Sequence, residues 1–173
     1  MVDCIAEHLL REGASIYAIV DGARDRSIPR MVRDSGFQYR SLYDGKSAEE
    51  LGSFGPFLVK LPEDVGIIAQ WLDPGWGRSF GVHLAAKQPF DEVRRHLRRF
   101  TLVELEGGRQ VYFRFYDPRV LRVFLPNCTY EEWSAFFGPI QAYFAESEDA
   151  KHLLRFHRDA DEPEPERLAV IGV

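Results

Sequence analysis

Three short, mostly apolar runs, at 16–20, 57–61 and 80–84, are each followed by a stretch whose apolar residues recur at helical spacing. Short apolar runs bounded by turn residues read as strands buried on both faces, and the stretches between them read as crossover helices. The first run, Ile16 to Val20, lies between Gly13 and the Asp21-Gly22 turn; Ser27 then offers an N-cap for a helix over 28–35, ended by Gly36. After the second run, Pro62-Glu63-Asp64 opens a helix with Val65, Ile68, Trp71 and Leu72 on one face. After the third, residues 89–100 align Phe90, Val93, Leu97 and Phe100 against Arg94, Arg95, Arg98 and Arg99. An amphipathic helix over 3–11 precedes them all. Strands alternating with helices predict an α/β domain built on a mixed, mostly parallel sheet flanked by helices.

Beyond residue 100 the pattern changes. Segments 101–105 and 110–115 flank Gly107-Gly108, a hairpin signal. Asp117-Pro118 pairs an N-cap with proline at the first helical position, and Thr129-x-x-Glu132 is a capping box for a helix carrying Trp133, Phe136 and Phe137. Ile140, Ala142 and Phe144 alternate with polar or amphipathic residues, and a turn near Ser147 leads to 153–157, so antiparallel hairpins belong to the C-terminal half. A second capping box, Ser47-x-x-Glu50, follows a turn at Asp44-Gly45.

The chain has 173 residues, 45% of them hydrophobic and 28% charged, enough for one domain with a real core. Its 22 basic and 27 acidic residues give a net charge of −5. Asp159, Asp161, Glu162, Glu164 and Glu166 fall together with no base between them, which leaves the rest of the chain neutral. The boundaries predicted are therefore a domain over 1–158 and an acidic, flexible tail over 159–173. A neutral body does not suit nucleic acid. No apolar stretch is long enough for a membrane span or a signal sequence, and Cys4 and Cys128 fit a reducing compartment, so the reading is a cytoplasmic protein without membrane insertion.

Motifs for chemistry fail on context. Gly77-Arg78-Ser79-Phe80-Gly81 matches G-x-S-x-G but precedes a strand, whereas a nucleophilic serine follows one. Gly45-Lys46-Ser47 ends like a phosphate loop, yet the glycine needed at position 40 is Arg40. Cys4 and His8 share a helical face but lack a second pair of ligands, and His83 on an apolar strand reads as a hydrogen-bonded core residue, so no metal and no cofactor is expected. The arginines of 94–99 could contact phosphates, or pair with acids on a solvated face.

Two polar stretches remain. Asp21, with Arg24 nearby, ends the first strand, where α/β sheets place ligand sites; a turn also wants Asp and Gly there. Phe113-Arg114-Phe115-Tyr116-Asp117-Pro118-Arg119 is denser: Arg114 and Asp117 could lock a strand-to-helix corner, or Tyr116, Arg119 and the aromatics could form an interaction hot spot. Trp76, in a Pro-Gly turn, has no helix or strand face to explain it and is a candidate surface anchor. A small hydrolase using the Asp21 corner or Ser79 is the alternative reading.

The same stretches carry a resemblance. Tyr17 to Ala23, Gly55 to Val59, His96 to Phe100 and above all Phe113 to Leu121 resemble, in order, the type VI secretion adaptor family, whose genes lie between a VgrG spike protein and a toxic effector. The resemblance implies a non-catalytic bacterial chaperone that binds its cognate effector and loads it onto the VgrG spike. Asp21, Arg24, Trp76, Arg114, Tyr116, Asp117 and Arg119 are then candidate partner-binding residues. Many family members carry a longer C-terminal region that helps select the effector, and this chain stops soon after the core.

Overall fold

The computed structural model describes residues 1–44, 54–105, 107–160 and 162–170. Its centre is a seven-stranded sheet. In chain order the elements are α1 (Val2–Leu10), β1 (Ser15–Asp21), α2 (Ile28–Asp34), β2 (Tyr39–Ser41), β3 (Pro56–Lys60), α3 (Val65–Leu72), β4 (Gly81–Ala86), α4 (Phe90–Arg98), β5 (Leu102–Glu104), β6 (Gln110–Tyr112), α5 (Pro118–Phe124), α6 (Tyr130–Phe137), β7 (Ile140–Glu146), β8 (His152–His157) and β9 (Glu166–Ala169). A 3-10 turn, Leu125–Asn127, joins α5 to α6.

The strand order is β2-β3-β1-β4-β7-β8-β9, and every neighbouring pair is antiparallel. The mostly parallel sheet predicted from the sequence is therefore wrong, for a specific reason. Both β3 and β4 run antiparallel to β1, so they are parallel to each other, joined by the α3 crossover, with β1 inserted between them. The α2 crossover likewise joins β1 to a parallel β2 across an intervening β3. Alternation of strand and helix reports the direction of consecutive strands and not which strand fills the gap between them.

Each face of the sheet carries its own core, as alternation along β1 dictates. Ile16, Ala18 and Val20 pack under α1, α2 and α3 with Ile5, Leu9, Val32, Ile68 and Trp71. Tyr17 and Ile19 pack on the opposite face with Leu97 of α4, Leu121 of α5 and Phe136 of α6. Asp21, the next residue in that alternation, lies at the rim of the second face.

Local signals explain the helix ends. Asp64 caps α3 through Ile67 N–H, Asp117 caps α5 through Arg119 N–H, and both capping-box bonds of Thr129 and Glu132 are made at α6. Ser27 makes no side-chain cap on α2; its hydroxyl and amide bond to Asp25 instead. The hairpins β5/β6 and β7/β8 form where turns were read. A register shift at Ala85/Ala86 puts Ile140 and Ala142 on opposite faces of the sheet, so the three-residue alternation read across 140–144 breaks after its first member.

The acidic segment read as a flexible tail contains β9, which pairs with β8 and ties Glu166 to Arg155 at 3.1 Å. Val170, just after it, is fully buried against the α1–α3 face. The predicted 47–50 capping box and the 45–47 phosphate-loop fragment lie outside the described residues.

Candidate functional site

The segment 113–117 is a loop between β6 and α5, and it folds inward because Phe115 and Tyr116 are buried in the core. Phe115 meets the ring of Phe136 edge-on at 5.4 Å, which fixes the loop against α6. Anchoring both aromatics turns the neighbouring Arg114 out toward the end of β1. There it binds Asp21, not Asp117 three positions away as the corner-locking reading had it.

Asp21 is almost wholly buried, and its carboxylate accepts from Arg114 Nη2 and, at 3.1 Å, from the backbone N–H of Ala23. The turn read from Asp21-Gly22 and the ion pair thus coexist on one side chain. Asp117, also buried, holds Arg119 bidentately, with Nε at 2.9 Å and Nη2 at 2.6 Å, and caps α5 through Arg119 N–H at 3.0 Å. Behind the ion pairs the hydroxyls of Tyr43 and Tyr116 meet at 3.2 Å, and Tyr112 stacks at a tilt on Tyr43 with centroids 5.2 Å apart.

The electrostatics follow from burial and pairing. Burial alone would lower the pKa of Arg114, but the hydrogen bond and charge of Asp21 reverse this and raise it. Burial would raise Asp117, and the bonds from Arg119 outweigh it, so its pKa lies below the ordinary carboxylate value. Tyr116 is pushed well up, first by burial and then by its bond to Tyr43, which keeps it a neutral phenol. The two ion pairs also sense each other, since Asp21 helps raise Arg119 and Arg114 helps lower Asp117.

Five of the sequence-selected residues, Asp21, Arg114, Tyr116, Asp117 and Arg119, therefore converge on one rim. Arg24 does not join them: its Nε donates to Arg78 C=O at 3.1 Å, beside an Arg78–Asp25 ion pair of 2.9 Å. Trp76 lies on the other face, half-buried against the α1–α3 core, with its indole N–H on Ala150 C=O at 2.9 Å. Arg94 and Arg98 of the arginine-rich helix α4 are also engaged, on Ser41 C=O at 2.9 Å and Asp44 at 2.6 Å.

Two residues escaped sequence reasoning. Tyr43 had no local signal, since only the tertiary fold brings it to Tyr116. Glu146 had one: it continues the inward positions Ala142 and Phe144 of β7, where a carboxylate demands partners. Those partners are Gly77 N–H at 2.6 Å, Ser79 N–H at 3.0 Å and Ser79 Oγ–H at 3.3 Å. The G-x-S-x-G match is thus a turn tied to a buried carboxylate, with Ser79 at a φ of 56°. His83 and Glu146 both line a cavity of about 30 Å³ beneath Trp76, room for a water or two. Burial drops the His83 pKa to about 4, and its Nε2 has no hydrogen-bond partner among the described residues, contrary to the hydrogen-bonded role read from the sequence.

Among the described residues there is no group of three or more side chains placed to hold a metal ion, and no helix long and apolar enough to cross a membrane. No curated protein and no solved structure matches the chain. A family match covers residues 16–135 and so takes in β1 from Ile16 onward, the 113–117 loop, the start of α5 and both ion pairs. Over that span the chain belongs to the family described as a domain of unknown function, DUF4123.

Proposed function

We propose that this protein is a non-catalytic adaptor of type VI secretion, which binds a cognate effector in the bacterial cytoplasm and loads it onto the VgrG spike. Membership of DUF4123 supports the association with type VI secretion adaptors. The observation that carries the reading to this chain's residues is the rim formed by Asp21, Arg114, Tyr116, Asp117 and Arg119. Its carboxylates are buried and paired with guanidinium and backbone donors, out of a substrate's reach, and its phenol is held neutral. A general base needs a free acceptor within reach of substrate, whereas a recognition surface needs rigid, half-exposed arginines beside aromatics, which this rim supplies.

Deleting the gene in its native bacterium and assaying delivery of the effector encoded beside it tests the role. The effector is expected to accumulate inside the cells, with delivery restored by the wild-type gene. Undiminished delivery from the deletion strain would contradict the role.

A further inference from the structure

The two ion pairs of the rim have the same polarity. Asp21 and Asp117 have side chains only 4% and 5% exposed, whereas those of Arg114 and Arg119 are 45% and 50% exposed. A molecule approaching this face therefore meets the guanidiniums and not the carboxylates that neutralise them. Arg114 spends Nη2 on Asp21, and Arg119 spends Nε and Nη2 on Asp117. The remaining N–H groups of both, including both Nη1 positions, have no acceptor among the described residues. An arginine carries five N–H donors in a fixed fork, so each side chain retains unused donors held in place by a buried anchor.

We propose that the Arg114–Arg119 rim is the docking site for an acidic segment of the partner protein, one whose carboxylates are spaced to reach both guanidiniums. This rests on the adaptor reading and names the chemistry of its partner. Charge complementarity here is short-ranged: each guanidinium is already balanced, so what the surface offers is directed donors and not a long-range field. Directed donors suit carboxylates, which accept the arginine fork bidentately. A polyphosphate chain is favoured by accumulated unpaired charge, and of the arginine-rich helix α4 two members are already tied down. Anchoring by Asp21 and Asp117 also removes side-chain freedom before binding, which lowers the entropy lost on docking. Tyr112, half-exposed and packed on Tyr43, provides an aromatic flank.

The test uses three fluorescein-labelled octapeptides, alternating serine with glutamate, glutamine or lysine, titrated by fluorescence anisotropy into the whole protein. The glutamate peptide is expected to bind and to weaken as salt rises, while the other two do not bind. Arg114→Gln and Arg119→Gln should each weaken binding about fivefold, roughly the loss of one solvent-exposed ion pair. Arg114→Lys, which keeps the charge, should fall between Arg114→Gln and wild type, with each variant's fold checked by circular dichroism. No binding of the glutamate peptide, equal binding of the glutamine peptide, or indifference to all three substitutions would overturn the proposal. Capture of a protein partner from the native cytoplasm separates the two ideas: a partner retained equally by wild type and by the folded Gln variants sinks the acidic docking site and leaves the adaptor reading standing. Failure of wild type to capture any partner sinks the adaptor reading itself.

Discussion

Arg114 and Asp21, 93 positions apart in the chain, form an ion pair in which the carboxylate is buried and the guanidinium is half in solvent. The pair ties the end of β1 to the loop before α5, two segments that share no strand pairing. Removing the arginine strands a buried carboxylate with one backbone donor, Ala23 N–H. Arg114→Ala is therefore expected to lower unfolding free energy by about 2 kcal/mol, below the full value for a buried pair because Arg114 is solvated on one side. Arg119→Ala should lower it by about 1 kcal/mol, since Asp117 keeps the backbone N–H of residue 119. Urea unfolding of both variants checks the order, and an Arg119 variant losing more than the Arg114 variant would contradict it.

Gly81 begins β4 opposite Val20 of β1. A Cβ at this position would lie 2.0 Å from the carbonyl oxygen of Ile19, a backbone atom fixed in β1, an interior strand of the sheet. Gly81→Ala must push β1 and β4 apart, and a loss of about 3 kcal/mol or outright misfolding is expected. Gly13→Ala, where nothing lies within 4 Å but φ is +61°, should lose only about 1 kcal/mol by strain alone. Thermal melts of the two variants compare steric approach with backbone strain.

His83 titrates near 4 in the folded protein because burial disfavours its cation, against an ordinary value of 6.5. A depressed histidine pKa means that the unfolded chain binds the proton first as pH falls. The stability contributed is fully present above pH 6.5 and is lost progressively toward pH 4. Between pH 7 and pH 5 this group alone removes about 2 kcal/mol. His83→Phe should flatten the slope of stability against pH in that window, leaving the smaller contribution of His96, which burial shifts in the same direction. Denaturant titrations at the two pH values read the difference, and an unchanged slope would refute the assignment.

Glu146 presents two carboxylate oxygens to three donors from the 77–79 turn. In Glu146→Gln an amide NH₂ must face at least one backbone N–H, with an expected loss of about 1–2 kcal/mol. Because Trp76 belongs to the same loop and bonds to Ala150, its fluorescence should report the loosening directly. Unchanged fluorescence and stability would show that the turn holds itself.

Local chemistry was legible in the sequence, and long-range pairing was not. Asp64, Asp117 and Thr129 announce their helices because a cap depends on residues two or three positions away. The β5/β6 and β7/β8 hairpins were readable for the same reason. Sheet topology was misread because nothing in the runs at 16–20, 57–61 and 80–84 records that β1 lies between β3 and β4. The site was half legible. Asp21 and the 113–119 segment stood out by residue type, but Arg114's partner was misassigned to the nearer Asp117, and Tyr43 could be placed only by the fold.

The most direct measurement of the central claim is affinity purification of the tagged protein from its native bacterium while the secretion genes are expressed, with partners identified by mass and the complex sized by light scattering. The account predicts a stoichiometric complex containing a toxic effector, a VgrG spike protein or both. A monomer recovered alone under those conditions would contradict it.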